Sequence, residues 1–187
     1  MGVAKTLKIL ALTLCLAGRA PNIWAGVSAW VPVTDLKLWY QQCMKIGETG
    51  YADEVVKSCG GVPGQSPAVD LEYKKRSPVP FLNENLKFAI DINAGIRDDN
   101  IPIDHSLNAF NLLVPEKDRI SKENISYFVK NIKVPPHFKK PSNDPLYSSK
   151  QPLFRKTSGN KRVTIFDGGH EIVARAALTW LAEQKKP

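Results

Sequence analysis

Cysteine is scarce in this chain: Cys15, Cys43 and Cys59 are the only three among 187 residues, and none stands in a Cys-x-x-Cys spacing. A zinc ribbon or dithiol redox motif is thereby excluded. Histidine is equally sparse, and His105, His137 and His170 are too widely spaced for a His-x-x-x-His helix, so no metal-binding constellation is expected and no cofactor motif stands out. Beyond the first 25 residues no stretch is long and apolar enough to span a membrane. Acidic residues are rare between Pro115 and Arg162, where twelve Lys and Arg face four Asp and Glu. The formal net charge of +8 therefore resides in that segment, and the remainder balances to zero.

What is present suits one globular domain, since 43% hydrophobic and 24% charged residues over this length suffice to bury a sizeable core. The most informative stretch runs from Ala89 to Phe110. Ala89, Ile90 and Ile92 read as a buried strand that stops at Gly95, where the chain turns sharply. Asp98 and Asp99 follow on the loop, then Ile101 and Pro102, then a helix opening near Asp104 or Ser106. Acidic residues are thus presented at a strand's carboxyl end, where open α/β sheets keep their chemistry. A second strand, Arg162 to Phe166, is broken by Asp167, Gly168 and Gly169 immediately before His170. From Glu171 onward, Ile172, Val173, Ala176, Ala177, Trp180 and Leu181 recur at helical spacing, and Lys185 and Lys186 suit the dipole of the helix end. An Asp and then a His, each after a strand, match the last two members of a Ser, Asp, His relay.

Three runs carry a resemblance: YKKRSPVPFL (Tyr73 to Leu82), INAGIRDDNIP (Ile92 to Pro102) with HSLNAF, and FDGGHE (Phe166 to Glu171). In order and spacing they are similar to the C-terminal half of the catalytic domain of the prolyl oligopeptidase family of serine hydrolases, an α/β-hydrolase fold. The upstream run Ala17 to Trp39 is similar to the family segment that follows the nucleophile's helix. The resemblance implies a mostly parallel sheet flanked by helices, hydrolysis of a peptide or ester substrate, Asp98 as the acid and His170 as the base. Asp98 lies three residues after Gly95 and four before Pro102, as the family's acid loop requires, and Asp99 is the fallback.

The chain departs from the family at the nucleophile. A Gly-x-Ser-x-Gly elbow needs small flanking residues because the strand-to-helix turn is strained. Where the elbow would lie, Gly2 to Lys8 contain no serine. The nearest imitation is Gly26-Val27-Ser28-Ala29-Trp30, where Trp30 replaces the second glycine, so Ser28 reads better as a strand residue. The expectation is a truncated hydrolase domain over residues 26–187, lacking its nucleophile and leaving a sheet edge uncovered.

Residues 1–25 form an apolar segment with two readings. Lys5 and Lys8 ahead of Ile9 to Ala17 resemble a secretory signal, which would place the protein outside the cytoplasm, but Pro21 after Ala20 is a poor cleavage context. By the resemblance, the same run is a remnant of the helix behind the nucleophile, in a protein that would otherwise be cytoplasmic. A strand is expected from Gly26 to Val33, then helices from Asp35, from Tyr51 to Ser58 and from Pro67 to Lys75, forming a cap over the sheet's carboxyl edge. Trp30, Trp39 and Tyr40 there are either pocket-lining or core aromatics. Cys43 and Cys59 are either two buried thiols or a disulfide, which would contribute about 3 kcal/mol and need an oxidising compartment.

The basic segment 115–162 is expected to hold a helix around Ser121 to Ile132 and then a proline-punctuated loop through Pro135, Pro136, Pro141, Pro145 and Pro152. It lies between the acid and base loops, either as a solvated excursion or as a contact surface for a polyanion. Two functions therefore follow from the sequence. One is an incomplete serine hydrolase; the other is a non-catalytic basic protein, secreted where the signal reading of residues 1–25 applies, that binds a polyanion or a protein.

Overall fold

The structure of the chain is a computed structural model and describes residues 12–187. The expected elbow region and the lysines of the signal-like start lie outside those residues. Its elements are a helix over residues 12–19 (α1), then β1 (Gly26–Trp30), α2 (Leu36–Ile46), α3 (Thr49–Cys59), α4 (Pro67–Arg76), β2 (Ala89–Gly95), α5 (Asp104–Leu113), α6 (Lys122–Asn131), β3 (Pro152–Ser158), β4 (Lys161–Phe166) and α7 (Ala174–Ala182). The four strands form one sheet in the order β1-β2-β4-β3, with β1-β2 and β2-β4 parallel and β3 antiparallel to β4. This is the expected α/β arrangement of a mostly parallel sheet between helices.

Strand pleating divides the sheet into two unlike faces. Ile90, Ile92 and Ala94 of β2 join Val27, Ala29, Val163, Ile165 and Phe154 in the main core, which α1, α5 and α6 close with Leu14, Leu107, Phe110 and Phe128. The opposite face is covered by α7 through Ala176 and Ala177, beside Trp30, Tyr147 and Phe166. Both faces are buried, as parallel strands require.

Helices α2, α3 and α4 form a unit with its own small core of Trp39, Val55, Tyr73 and neighbours, and Ile101 of the acid loop packs into it. Local signals explain its ends. Asp35 caps α2 by accepting from Lys37 N and Leu38 N at 2.9 and 3.0 Å, and Gly47 and Gly60 end α2 and α3 at φ 80°. Ser66 caps α4, and Pro67 stands where its missing N–H costs nothing. Its contacts with Asn100 and Ile101, on the segment that follows β2, set the cap beside the carboxyl end of the sheet. Cys43 and Cys59 are free buried thiols in this core, so no bridge joins them, and burial pushes each up to about 11. Trp39 is likewise a core residue rather than a pocket wall.

Several boundaries differ from expectation, and α7, read as opening at Glu171 and ending in Lys185 and Lys186, spans only Ala174–Ala182. β1 ends at Trp30 and not at Val33, because Val31 takes φ 43°, a left-handed conformation that is strained for a β-branched residue. The expected loop through Pro152 contains β3, joined to β4 by the two-residue turn Gly159–Asn160 with Gly159 at φ 55°. Glycine leading a two-residue turn is a hairpin signal, and the surrounding prolines and lysines masked it. No helix among the described residues is long and apolar enough to cross a membrane.

Candidate active site

The parallel pairing of β2 with β4 sets Gly95 opposite Phe166, so the loops leaving both strands emerge side by side. Their backbones then interlock. Ile96 N donates to Phe166 O and Arg97 N to Gly168 O, each at 2.9 Å. A Cβ on Gly95 would come within 2.2 Å of Gly169 O and 2.6 Å of the Gly168 carbonyl, so this glycine is needed less for a turn than for the passage of the histidine loop directly over it. Arg97 also pairs with Asp167, and Lys150 Nζ holds Glu171 at 2.8 Å while Glu171 Oε1 accepts from Gly169 N. The hydrogen bond from Lys150 is the main reason the Glu171 carboxyl is held below its usual value.

This interlocking brings Asp98 and His170 together across 72 residues of sequence, with Nδ1 of His170 3.0 Å from Oδ2 and 3.2 Å from Oδ1 of Asp98. The Asp98 side chain is fully buried, whereas that of His170 is 22% exposed. Oδ1 of Asp98 also accepts from Asn100 N and Ile101 N at 2.9 Å each, which fixes the carboxylate's orientation. Trp39 Nε1 donates to Asn100 O at 3.0 Å, so the cap steadies the acid loop from outside. With the carboxylate on Nδ1–H, the neutral imidazole keeps Nε2 as its acceptor nitrogen. His170 is raised above its ordinary value, first by the hydrogen bond to Asp98, against the opposing effect of burial, with the charges of Asp98 and Asp99 adding to the rise. Asp99 is exposed and acts on His170 only through its charge, so the geometry distinguishes Asp98 from its neighbour.

Beside His170 lies an open cleft of about 390 Å³ lined by Thr13, Ser28 to Val31, and His170 to Ile172. Trp30 is therefore on the cleft, unlike Trp39. Comparison with family models, curated proteins and solved structures returns no match. The chemistry of the site thus rests on its own geometry.

Ser28 shares the cleft with His170 but is bonded elsewhere. Its Oγ accepts from Trp30 Nε1 at 2.9 Å and donates to Asp91 Oδ2 at 3.3 Å. Asp91 belongs to a buried polar network absent from the sequence reading: Arg162 Nε meets its Oδ1 and Asn93 Nδ2 its Oδ2, each at 2.7 Å, and Tyr147 OH donates to Asn93 Oδ1 at 2.6 Å. The alternation of Asp91 and Asn93 with Ile90 and Ile92 was the available signal, because it marks a strand with one apolar and one polar buried face. Thr13, also unremarked in the sequence, is the other hydroxyl on the cleft. Among the described residues no three or more His, Cys, Asp or Glu gather as they would around a metal ion.

Proposed function

We propose that this chain carries the acid–base pair of a serine-hydrolase site of prolyl oligopeptidase type, acting on a peptide or ester carbonyl. The observation that supports the reading is the buried Asp98 carboxylate on Nδ1 of a partly exposed His170, at the carboxyl ends of adjacent parallel strands and beside a cleft. In such a site Asp98 holds the ring tautomer and favours the imidazolium, while His170 Nε2 takes the proton of an attacking hydroxyl or water. Ser28 is a poor attacking group, since its hydroxyl is engaged by Asp91 and Trp30. With Ser28 so engaged, water is the attacking species and turnover is weak.

Hydrolysis of p-nitrophenyl acetate, measured against pH, tests this reading. The expected outcome is slow turnover that rises as His170 loses its proton and falls by about tenfold or more in His170→Ala, a modest share of what general-base catalysis supplies. Equal rates in the two proteins would overturn it. Labelling by a fluorophosphonate that survives Ser28→Ala and is lost in Thr13→Val would identify Thr13 as the attacking group.

A second reading, polyanion binding without catalysis, draws on the exposed lysines Lys130, Lys133, Lys139 and Lys140 around the end of α6 and the loop that follows. Four other cations of the basic segment serve the fold instead. Arg155 and Arg162 pair with Asp144 and Asp91, Lys150 pairs with Glu171, and Lys161 Nζ is buried against the carbonyls of Leu86 and Phe88.

A further inference from the structure

The two edges of the sheet are built differently. β3 opens on Pro152, carries Arg155 and Lys156, and has a register irregularity between Pro152 and Phe154. Proline, charge and bulges are the devices by which edge strands resist pairing. β1, at the opposite edge, reads Gly-Val-Ser-Ala-Trp and has none of them. Among the described residues its one strand neighbour is β2. Val31 N donates to Asn93 O at 2.7 Å, so by the alternation of a ladder the main-chain groups of Ser28 and Trp30 point away from β2, toward the open side.

The flanks of this edge are apolar on both faces of the sheet. On one face α1 buries Leu14 and Ala17 and exposes Leu12 and Leu16, a turn apart, next to Thr13 on the cleft along β1. On the other, Trp180 of α7 and Gln184 just beyond its end lie close to Gly26, and α7 exposes Leu178 and Leu181 to 67% and 38%. Net charge is placed at the other end of the molecule. The segment that carries the whole +8 supplies α6, β3 and the first residues of β4, so the most distant strand from β1 is the basic one. On the β1 flank the exposed cations Arg175, Lys185 and Lys186 stand among the acids Glu171 and Glu183, so a second copy approaching that edge meets a far less basic surface than α6 and β3 present, and the two most basic ends lie outermost.

We propose that the β1 edge is covered by a second copy of this chain, the two β1 strands pairing antiparallel about a two-fold axis normal to the sheet. That operation doubles the four strands into one continuous sheet. It sets α1 against its counterpart and α7 against its counterpart, leucine facing leucine, an isologous contact that closes. The outward-pointing main-chain groups of Ser28 and Trp30 find partners, and the cleft beside each His170 gains a second wall.

Sedimentation equilibrium of the full chain over roughly 1 to 100 µM tests the proposal, with amide hydrogen exchange read at both ends of the range. The expected result is a species of twice 20.8 kDa, with exchange at Ser28 and Trp30 slowing as concentration rises. Leu16→Lys and Leu178→Lys, both on exposed positions, are expected to weaken the dimer at least tenfold while circular dichroism stays unchanged. A 20.8 kDa monomer throughout overturns the proposal, including one whose Ser28 and Trp30 amides are protected at every concentration, since the edge is then covered by something other than a second copy. So does a dimer in which those amides exchange freely. Ester hydrolysis by His170 is measured separately, so the two readings fail independently.

Discussion

His170 and His105 are driven in opposite directions by their surroundings. Because Asp98 raises the folded value of His170, the pair stabilises the fold fully below pH 6.5 and loses that contribution as pH rises through the raised value. Asp98→Asn removes the carboxylate, and titration of His170 followed by NMR is expected to fall back toward or below 6.5; an unchanged midpoint would contradict the pairing. His105 is fully buried, and desolvation lowers it to about 3. Its Nδ1 accepts from Thr34 N at 3.2 Å and its Nε2–H donates to Gln42 Oε1 at 2.9 Å, which defines the neutral tautomer. The unfolded chain takes up this proton near pH 6.5 and the folded chain does not, so stability falls as pH drops from 6.5 toward 3. The expected loss is on the order of 3 kcal/mol by pH 4.5, with the ring's ¹⁵N signals still those of a neutral imidazole in the folded protein. A folded protein with a charged His105 at that pH would refute the assignment. The sequence located His170 by its Gly-Gly loop, yet nothing local marks His105, because burial is a property of the packed molecule.

The elements that form the candidate site were legible where the signal is periodic and local. β2 has the expected bounds, and α5 opens at Asp104, one of the two starts read from the sequence. β3 was missed because its hairpin turn lies among prolines and lysines that read as loop, and the end of β1 was missed because no residue type announces a left-handed valine. The interlocking of the two loops at Gly95 is a contact between elements, and it makes a sharp prediction. Gly95→Ala forces the Gly168–Gly169 backbone away from β2 and is expected to cost about 1–3 kcal/mol by urea unfolding, as overpacking does. It should also return His170 toward its ordinary titration. A variant with wild-type stability and the wild-type titration of His170 would show that the loop's course does not depend on that glycine.

At the scale of the molecule, the basic segment separates into cations that hold the sheet and cations that face solvent. Retention on heparin is therefore expected to fall steeply with salt, and to drop when Lys130, Lys133, Lys139 and Lys140 are replaced by alanine. Arg155, 22% exposed and bonded to Asp144, is expected to affect stability far more than retention. Retention unchanged by the four lysine replacements would remove the polyanion reading. The sequence by itself determined the α/β class, the three parallel strands with the helices between them, and the two loops that carry Asp98 and His170, because hydrophobic period, turn residues and caps act over a few positions. Only the tertiary structure decided that Asp98 and not Asp99 meets His170, that Ser28 is held by Asp91 and Trp30, that Cys43 and Cys59 remain thiols, and that, among the described residues, β1 and the guarded β3 form the two edges of the sheet. Each of these depends on which strands are neighbours and on distances of a few ångströms between residues far apart in the chain, and no local pattern encodes them.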